Sequence, residues 1–200
     1  DSRLREFLAE EYHRRQRHDE AMALIWAEFS ESPSLEQFQK LKAHAERLRQ
    51  WKPWREKALE YLRKHIAGAK HERQKNRWAW YRKADHSELV RIFLWEKNVE
   101  AAWREAQEGG CSNKLWLELA AKREKEHPED ALPIYQRQIE PTLNQKNNEA
   151  YRQAIGLLRK VGELMVRLGR KAEFTSYLDE VRAAHKPKRN FMKLLDQAKL

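Results

Sequence analysis

Residues 115–139 read LWLELAAKREKEHPEDALPIYQRQI, two short amphipathic segments folded back on each other at His127-Pro128. Leu115, Trp116, Leu119 and Ala120 recur at the three- and four-residue steps that line one face of a helix, and Ala131, Leu132, Tyr135 and Ile139 do the same after the turn. Pro128 suits a first helical turn, where its missing N–H costs nothing, and Glu129 and Asp130 complement the positive end of the helix dipole. Pro133 removes a backbone donor further in, so the sequence predicts a kink or a helix that properly starts near Leu132, with Pro141 closing it.

Looser versions of this unit fill the rest of the chain. On the N-terminal side, Leu4, Phe7, Leu8 and Tyr12 mark the expected inner face of a first helix, and Met22, Ile25, Trp26 and Phe29 that of a second behind Asp19. Ser34 is a cap for a third helix carrying Leu35, Phe38, Leu41, Ala45 and Leu48. Pro53 opens a fourth, with Ala58, Leu59, Tyr61, Leu62 and Ile66, expected to end near Gly68. Asp85 and Ser87 are candidate caps for a helix bearing Leu89, Ile92, Phe93 and Trp95, and Ala102, Trp103 and Ala106 follow on a short helix stopped by Gly109-Gly110. On the C-terminal side, Tyr151, Ile155, Leu158, Val161, Leu164, Met165 and Leu168 form the longest uninterrupted stripe. Leu168-Gly169-Arg170 is a corner, and two further helices carry Phe174, Tyr177, Leu178 and Val181, then Phe191, Leu194 and Leu195. No segment sustains two-residue alternation, so the expected class is all-α.

An acid followed by Ala, with an aromatic a few residues on, recurs at Glu20-Ala21 to Trp26, Glu100-Ala101 to Trp103 and Asp130-Ala131 to Tyr135, and Glu149-Ala150 repeats its head. A small residue lets two helices approach while the ring fills the neighbouring groove. The intervals are irregular, which predicts antiparallel helix pairs stacked as an irregular tetratricopeptide-like or half-a-tetratricopeptide-like α-solenoid. The expected division is helical pairs over 1–68, a basic connector over 69–84 and a helical repeat module over 85–200. Trp95, Trp103, Trp116, Leu119, Ala131, Tyr135, Phe174 and Tyr177 are expected as packing residues.

The 200 residues are 40% apolar and include eight Trp, enough for a real core, while 36% are charged, which suits a thin helical stack with wide wet faces. A single cysteine excludes an internal disulfide framework or a multi-thiolate zinc site within the chain, and the cytoplasm is the expected compartment. No apolar run approaches the roughly 20 residues that span a bilayer, so no membrane association is expected. The chain starts at Asp1 close to a helix, and it is read as a piece of a longer polypeptide.

Leu94-Trp95-Glu96, Gly110-Cys111, Trp116-Leu117 with Leu119-Ala120, Arg123-Glu124, His127-Pro128, Asp130-Ala131-Leu132, Ile134-Tyr135, Leu168-Gly169-Arg170, Glu173-Phe174, Tyr177-Leu178 and Lys188-Arg189-Asn190-Phe191 form a connected set over about residues 85 to 200. This set resembles the C-terminal helical region of bacterial SWIM zinc-finger proteins, more weakly over 15–66. The family's finger uses three cysteines and a histidine, which this chain does not contain as a set, so no zinc-ligand role carries over. Where the resemblance implies Gly-Asp after Leu94-Trp95-Glu96, the chain has Lys97-Asn98, which costs a turn glycine without altering the expected fold.

The net charge of +10 suits nucleic acid, acidic proteins or anionic lipid as partners, and charge alone does not choose among them. Two basic stretches stand out. In 63–83, Arg73, Lys75, Arg77, Trp78, Arg82 and Lys83 are candidates for phosphate contacts and base stacking, set against a reading in which Trp78, Trp80 and Tyr81 pack between helices. In 182–193, Lys186, Lys188 and Arg189 are candidates beside Arg182 and Lys193, set against simple compensation of a helix dipole. His13 and His18, and His65 and His71, lack the spacing that aligns two ligands on one helix, so no metal or cofactor is expected. Cys111, in a glycine loop without an evident base, reads as inert, and no phosphate-binding loop, HExxH or nucleophile elbow is present. The expected role is a non-catalytic scaffold that binds a protein or another domain of its parent chain. The alternative is a nucleic-acid-binding accessory module.

Overall fold

Eleven helices occupy the described residues, and no strand occurs among them. The structure is a computed structural model that describes residues 2–75 and 85–200, with side chains over 2–71 and 85–200. The helices are α1 Ser2–Arg14, α2 His18–Glu31, α3 Leu35–Arg47, α4 Trp51–Lys75, α5 Ser87–Trp95, α6 Val99–Gly109, α7 Asn113–Arg123, α8 Pro128–Leu143, α9 Asn148–Arg167, α10 Lys171–His185 and α11 Arg189–Gln197. They gather into two compact units, Asp1–Cys111 and Ser112–Leu200. α5 and α6 therefore pack with the N-terminal helices, whereas the sequence assigns them to a module over 85–200.

Within a unit, successive helices share a recurring corner. Gln16, Arg49, Lys97 and Gly169 adopt φ of 61°, 56°, 60° and 72°. The next residue's N–H reaches back to a carbonyl five positions earlier, as in Arg17 to Tyr12 at 2.9 Å, Gln50 to Ala45 at 3.0 Å, Asn98 to Phe93 at 2.9 Å and Arg170 to Met165 at 2.8 Å. This six-to-one bond satisfies helix-end carbonyls and turns the chain sharply. At the opposite ends, side chains of Ser34, Asn98 and Asn147 accept from the N–H groups of Gln37, Ala101 and Ala150.

In the first unit, Ile25 and Phe29 of α2, Phe38 and Leu41 of α3, and Leu89 and Ile92 of α5 are almost fully buried. Polar bridges fix the helices around them. The Arg55 guanidinium holds Glu96 through two bonds of 2.6 and 2.7 Å. Glu105 accepts from Arg63 at 2.6 Å and contacts His86 at 2.8 Å. In the second unit, Leu119, Leu143, Leu158, Phe191 and Leu195 form the centre. Gly162 on α9 lets the Phe174 ring of α10 come so close that a Cβ there would lie 2.7 Å from it.

Three sequence expectations are corrected. Leu4, Phe7 and Leu8 do not form the inner face of α1: they are 57%, 65% and 37% exposed, and Ala9 and His13 face inward. The inner face works because Ala9 permits close approach and His13 meets His18 and His44 at 2.9 and 3.0 Å. α4 does not stop near Gly68 but runs to Lys75, since Ala69 extends the buried stripe of Leu62 and Ile66. α8 starts at Pro128 and passes through both Pro133 and Pro141 to Leu143. Both prolines lie on its exposed side, where water can reach the carbonyls they leave without a partner.

Candidate functional site

A basic groove runs along α9 and α11. Three shallow depressions line up there, the middle one sharing Arg152, Leu194 and Gln197 with one neighbour and Asn148 and Asn190 with the other. Together they draw six cations, Lys146, Arg152, Arg159, Lys188, Arg189 and Lys193, and no carboxylate lines them. Asn148, Arg152 and Arg159 lie on one face of α9 by helical spacing, and Gly156 between them leaves open floor, since a Cβ there would meet nothing within 4 Å. Asn148 and Asn190 face each other at 3.4 Å, joining the helices across the groove. Tyr151 is buried with its ring 5.9 Å from that of Phe191, which fixes the position of α11 against α9.

The sequence candidates divide accordingly. Lys188 and Arg189 line this groove, and Lys186 is exposed nearby. Lys188 Nζ lies 3.0 Å from Nδ1 of the buried His185, whose Nε2 is 2.8 Å from Glu140. Arg182 is engaged elsewhere, with Asp196 at 2.7 Å and the carbonyl of Leu200 at 3.1 Å. Lys146, Arg152 and Arg159 are the groove residues that sequence reasoning missed.

Of the other basic stretch, Arg63 is committed to Glu105 and Lys64 to Glu60 at 2.7 Å. Arg77, Trp78, Trp80, Tyr81, Arg82 and Lys83 lie outside the described residues, as do the side chains of Arg73 and Lys75. Among the expected packing residues, Leu119, Ala131 and Tyr135 are buried, Trp103, Trp116, Phe174 and Tyr177 are half-buried, and Trp95 is 37% exposed with Lys42 4.9 Å above its ring.

α9, which carries one wall of the groove, is tied to α7 and α8 through Glu124. Glu124, at the end of α7, accepts from Tyr135 of α8 and Lys160 of α9, both at 2.6 Å. Burial pushes the Tyr135 hydroxyl pKa upward, and the Glu124 carboxylate beside it adds to that. Burial also opposes the charge on Glu124, but the bonds from Lys160 and Tyr135 and the nearby cations outweigh it, so its pKa lies below the ordinary carboxylate value.

The first unit holds a second cluster that the spacing concealed. His13 Nδ1 is 2.9 Å from His18 Nδ1, and His13 Nε2 is 3.0 Å from His44 Nδ1. His44 Nε2 faces Glu6 at 3.1 Å and Glu10 at 3.9 Å.

No helix among the described residues is long and apolar enough to cross a membrane. No protein-family model matches the sequence, and the comparison with curated proteins finds no match.

Proposed function

We propose that the chain is a non-catalytic helical-repeat scaffold, its helix pairs stacked within each unit as irregular tetratricopeptide-like repeats. It holds an acidic segment of a partner protein, or of another domain of a larger bacterial SWIM zinc-finger-like protein of the cytoplasm, in the α9–α11 groove. The observation that carries this reading is the groove's lining, six cations and no carboxylate, with amides of Asn148, Asn190 and Gln197 between them. Cations attract carboxylates, amides pair with a peptide backbone, and Leu194 and Ile155 offer apolar floor to an intervening side chain.

A nucleic-acid reading uses the same cations, which neutralise phosphates equally well. It is the weaker reading because Tyr151 is buried and the groove lining presents no exposed ring for a base to stack on.

Fluorescence anisotropy with a labelled Glu/Asp-rich peptide, run beside single- and double-stranded DNA and RNA of similar length across a salt series, tests both. The peptide is expected to bind, and to lose most of its affinity when Arg152→Glu and Arg159→Glu are combined. Nucleic acid bound more tightly than peptide, with affinity falling linearly on a log–log salt plot, overturns the scaffold reading in favour of the second. Absence of both interactions at low ionic strength overturns both readings.

A further inference from the structure

The histidine cluster of the first unit stands apart from the proposed interaction groove. Its members come from three helices: Glu6, Glu10 and His13 from α1, His18 from the start of α2, and His44 from α3. Glu6 and Glu10 are one helical turn apart, so both carboxylates meet the buried His44 imidazole, which is 1% exposed. A donor oxygen from each glutamate and a ring nitrogen of His44 all lie within 4.8 Å of one another. The Oε2 atom of Glu6 is buried and has no hydrogen-bond partner.

With all three rings neutral, the ring chain has two directed forms. In the first, His44 Nε2–H donates to Glu6, which requires His13 to donate to His44 and His18 to donate to His13, and leaves His18 Nε2 bare. In the second, every proton points the other way: His18 Nε2–H donates to Oε1 of Gln16, 3.3 Å away, His13 donates to His18, and His44 donates to His13. His44 Nε2 then presents a lone pair to two carboxylates, an arrangement that a cation between them stabilises and that is repulsive without one.

We propose that Glu6, Glu10 and His44 bind one divalent transition-metal ion of the zinc type, with His13 as the partner that orients His44. A borderline ion accepts one imidazole nitrogen and two carboxylate oxygens, and water completes the tetrahedron. Bonds near 2.0 Å imply donor separations of about 3.3 Å. The Glu6–His44 pair at 3.1 Å already meets that, and the Glu10–His44 pair at 3.9 Å closes by a small side-chain shift. The His13 bond to the far nitrogen of His44 is the second contact that metal-binding histidines need to fix their tautomer. Arg47 opposes the ion: it holds both oxygens of Glu10 at 2.7 Å, and its half-exposed side chain must tolerate or vacate that position. The ion ties α1 to α3.

The test uses the 200-residue chain stripped of metal with a chelator. Titration with Co2+ is expected to give a saturable visible absorption band at one equivalent, displaced by Zn2+. Glu6→Gln and Glu10→Gln, checked for folding by circular dichroism, are each expected to weaken binding at least about tenfold, and His13→Asn by about 10–100-fold. Ring 15N shifts of the wild type are expected to show Zn2+ on His44 Nε2 with a proton retained on Nδ1. No saturable binding overturns the proposal, as does binding that both glutamine variants leave unchanged, the mark of adventitious capture by other histidines.

Discussion

The Glu88 carboxylate of α5 accepts a hydrogen bond from the backbone N–H of Leu35, 3.0 Å away, and so caps the first turn of α3 from 53 residues along the chain. One side of that turn is thus satisfied locally by Ser34 and the other by a distant helix, which couples the two elements. Glu88→Ala is expected to lower stability by about 1 kcal/mol, read as a shift in the denaturation midpoint with unchanged slope. Arg91→Ala removes an exposed ion pair to the same carboxylate and is expected to change little.

Alanine at two glycines is expected to act with opposite sign. At Gly109 a Cβ would fall 1.8 Å from Cδ2 of His86, so Gly109→Ala forces the ring off Glu105 and costs about 2–3 kcal/mol. At Gly156, mid-helix with open space, Gly156→Ala is expected to add about 0.5–1 kcal/mol. Thermal unfolding of the two variants beside the parent checks both.

Lys97 occupies the left-handed region with φ of 60° at the α5–α6 corner. A β-carbon is disfavoured there, and the loss of one in Lys97→Gly relieves strain at the expense of greater freedom in the unfolded chain. The net expectation is a gain of about 0.5–1 kcal/mol with unchanged helix content, measured by chemical denaturation.

The depressed pKa of Glu124 gives a pH dependence with a defined sign. Because the folded state holds this carboxylate below its ordinary value of 4.5, the unfolded chain binds the proton first as pH falls. Its stabilising contribution is complete above that value and is lost as pH drops through the folded pKa. Glu124→Gln is expected to be less stable than the parent at neutral pH and to lose less stability on acidification, which a pH series of unfolding midpoints measures.

Much of the helical pattern was legible because apolar side chains carried it: the stripe of Tyr151, Ile155, Leu158, Val161, Leu164 and Met165 is buried as its spacing requires. α1 misled because its inner face is built from Ala9, Glu6 and His13, and inward-facing polar groups become recognisable through partners on other helices. The repeated corners stayed hidden for a related reason: Gln16, Arg49 and Lys97 take the conformation that Gly169 advertises. At Gln16 this corner folds α2 back on α1 and turns the unpromising separation of His13 and His18 into a 2.9 Å contact. The groove was half visible. Lys188 and Arg189 are neighbours in sequence, whereas Arg152 and Arg159 resemble any charges on the wet face of an amphipathic helix until α11 is laid beside them.

Arg167, the last residue of α9, donates to the carbonyls of Glu124 and Lys125 at 2.7 and 2.8 Å. Lys160 grips the Glu124 side chain one face-repeat earlier, so the α7–α8 bend is latched twice from the same rod. A tug on α7 is therefore expected to load the C-terminal half of α9. Amide protons at the bend are expected to trade with solvent in step with those of the C-terminal half of α9, a coupling that hydrogen exchange reads directly.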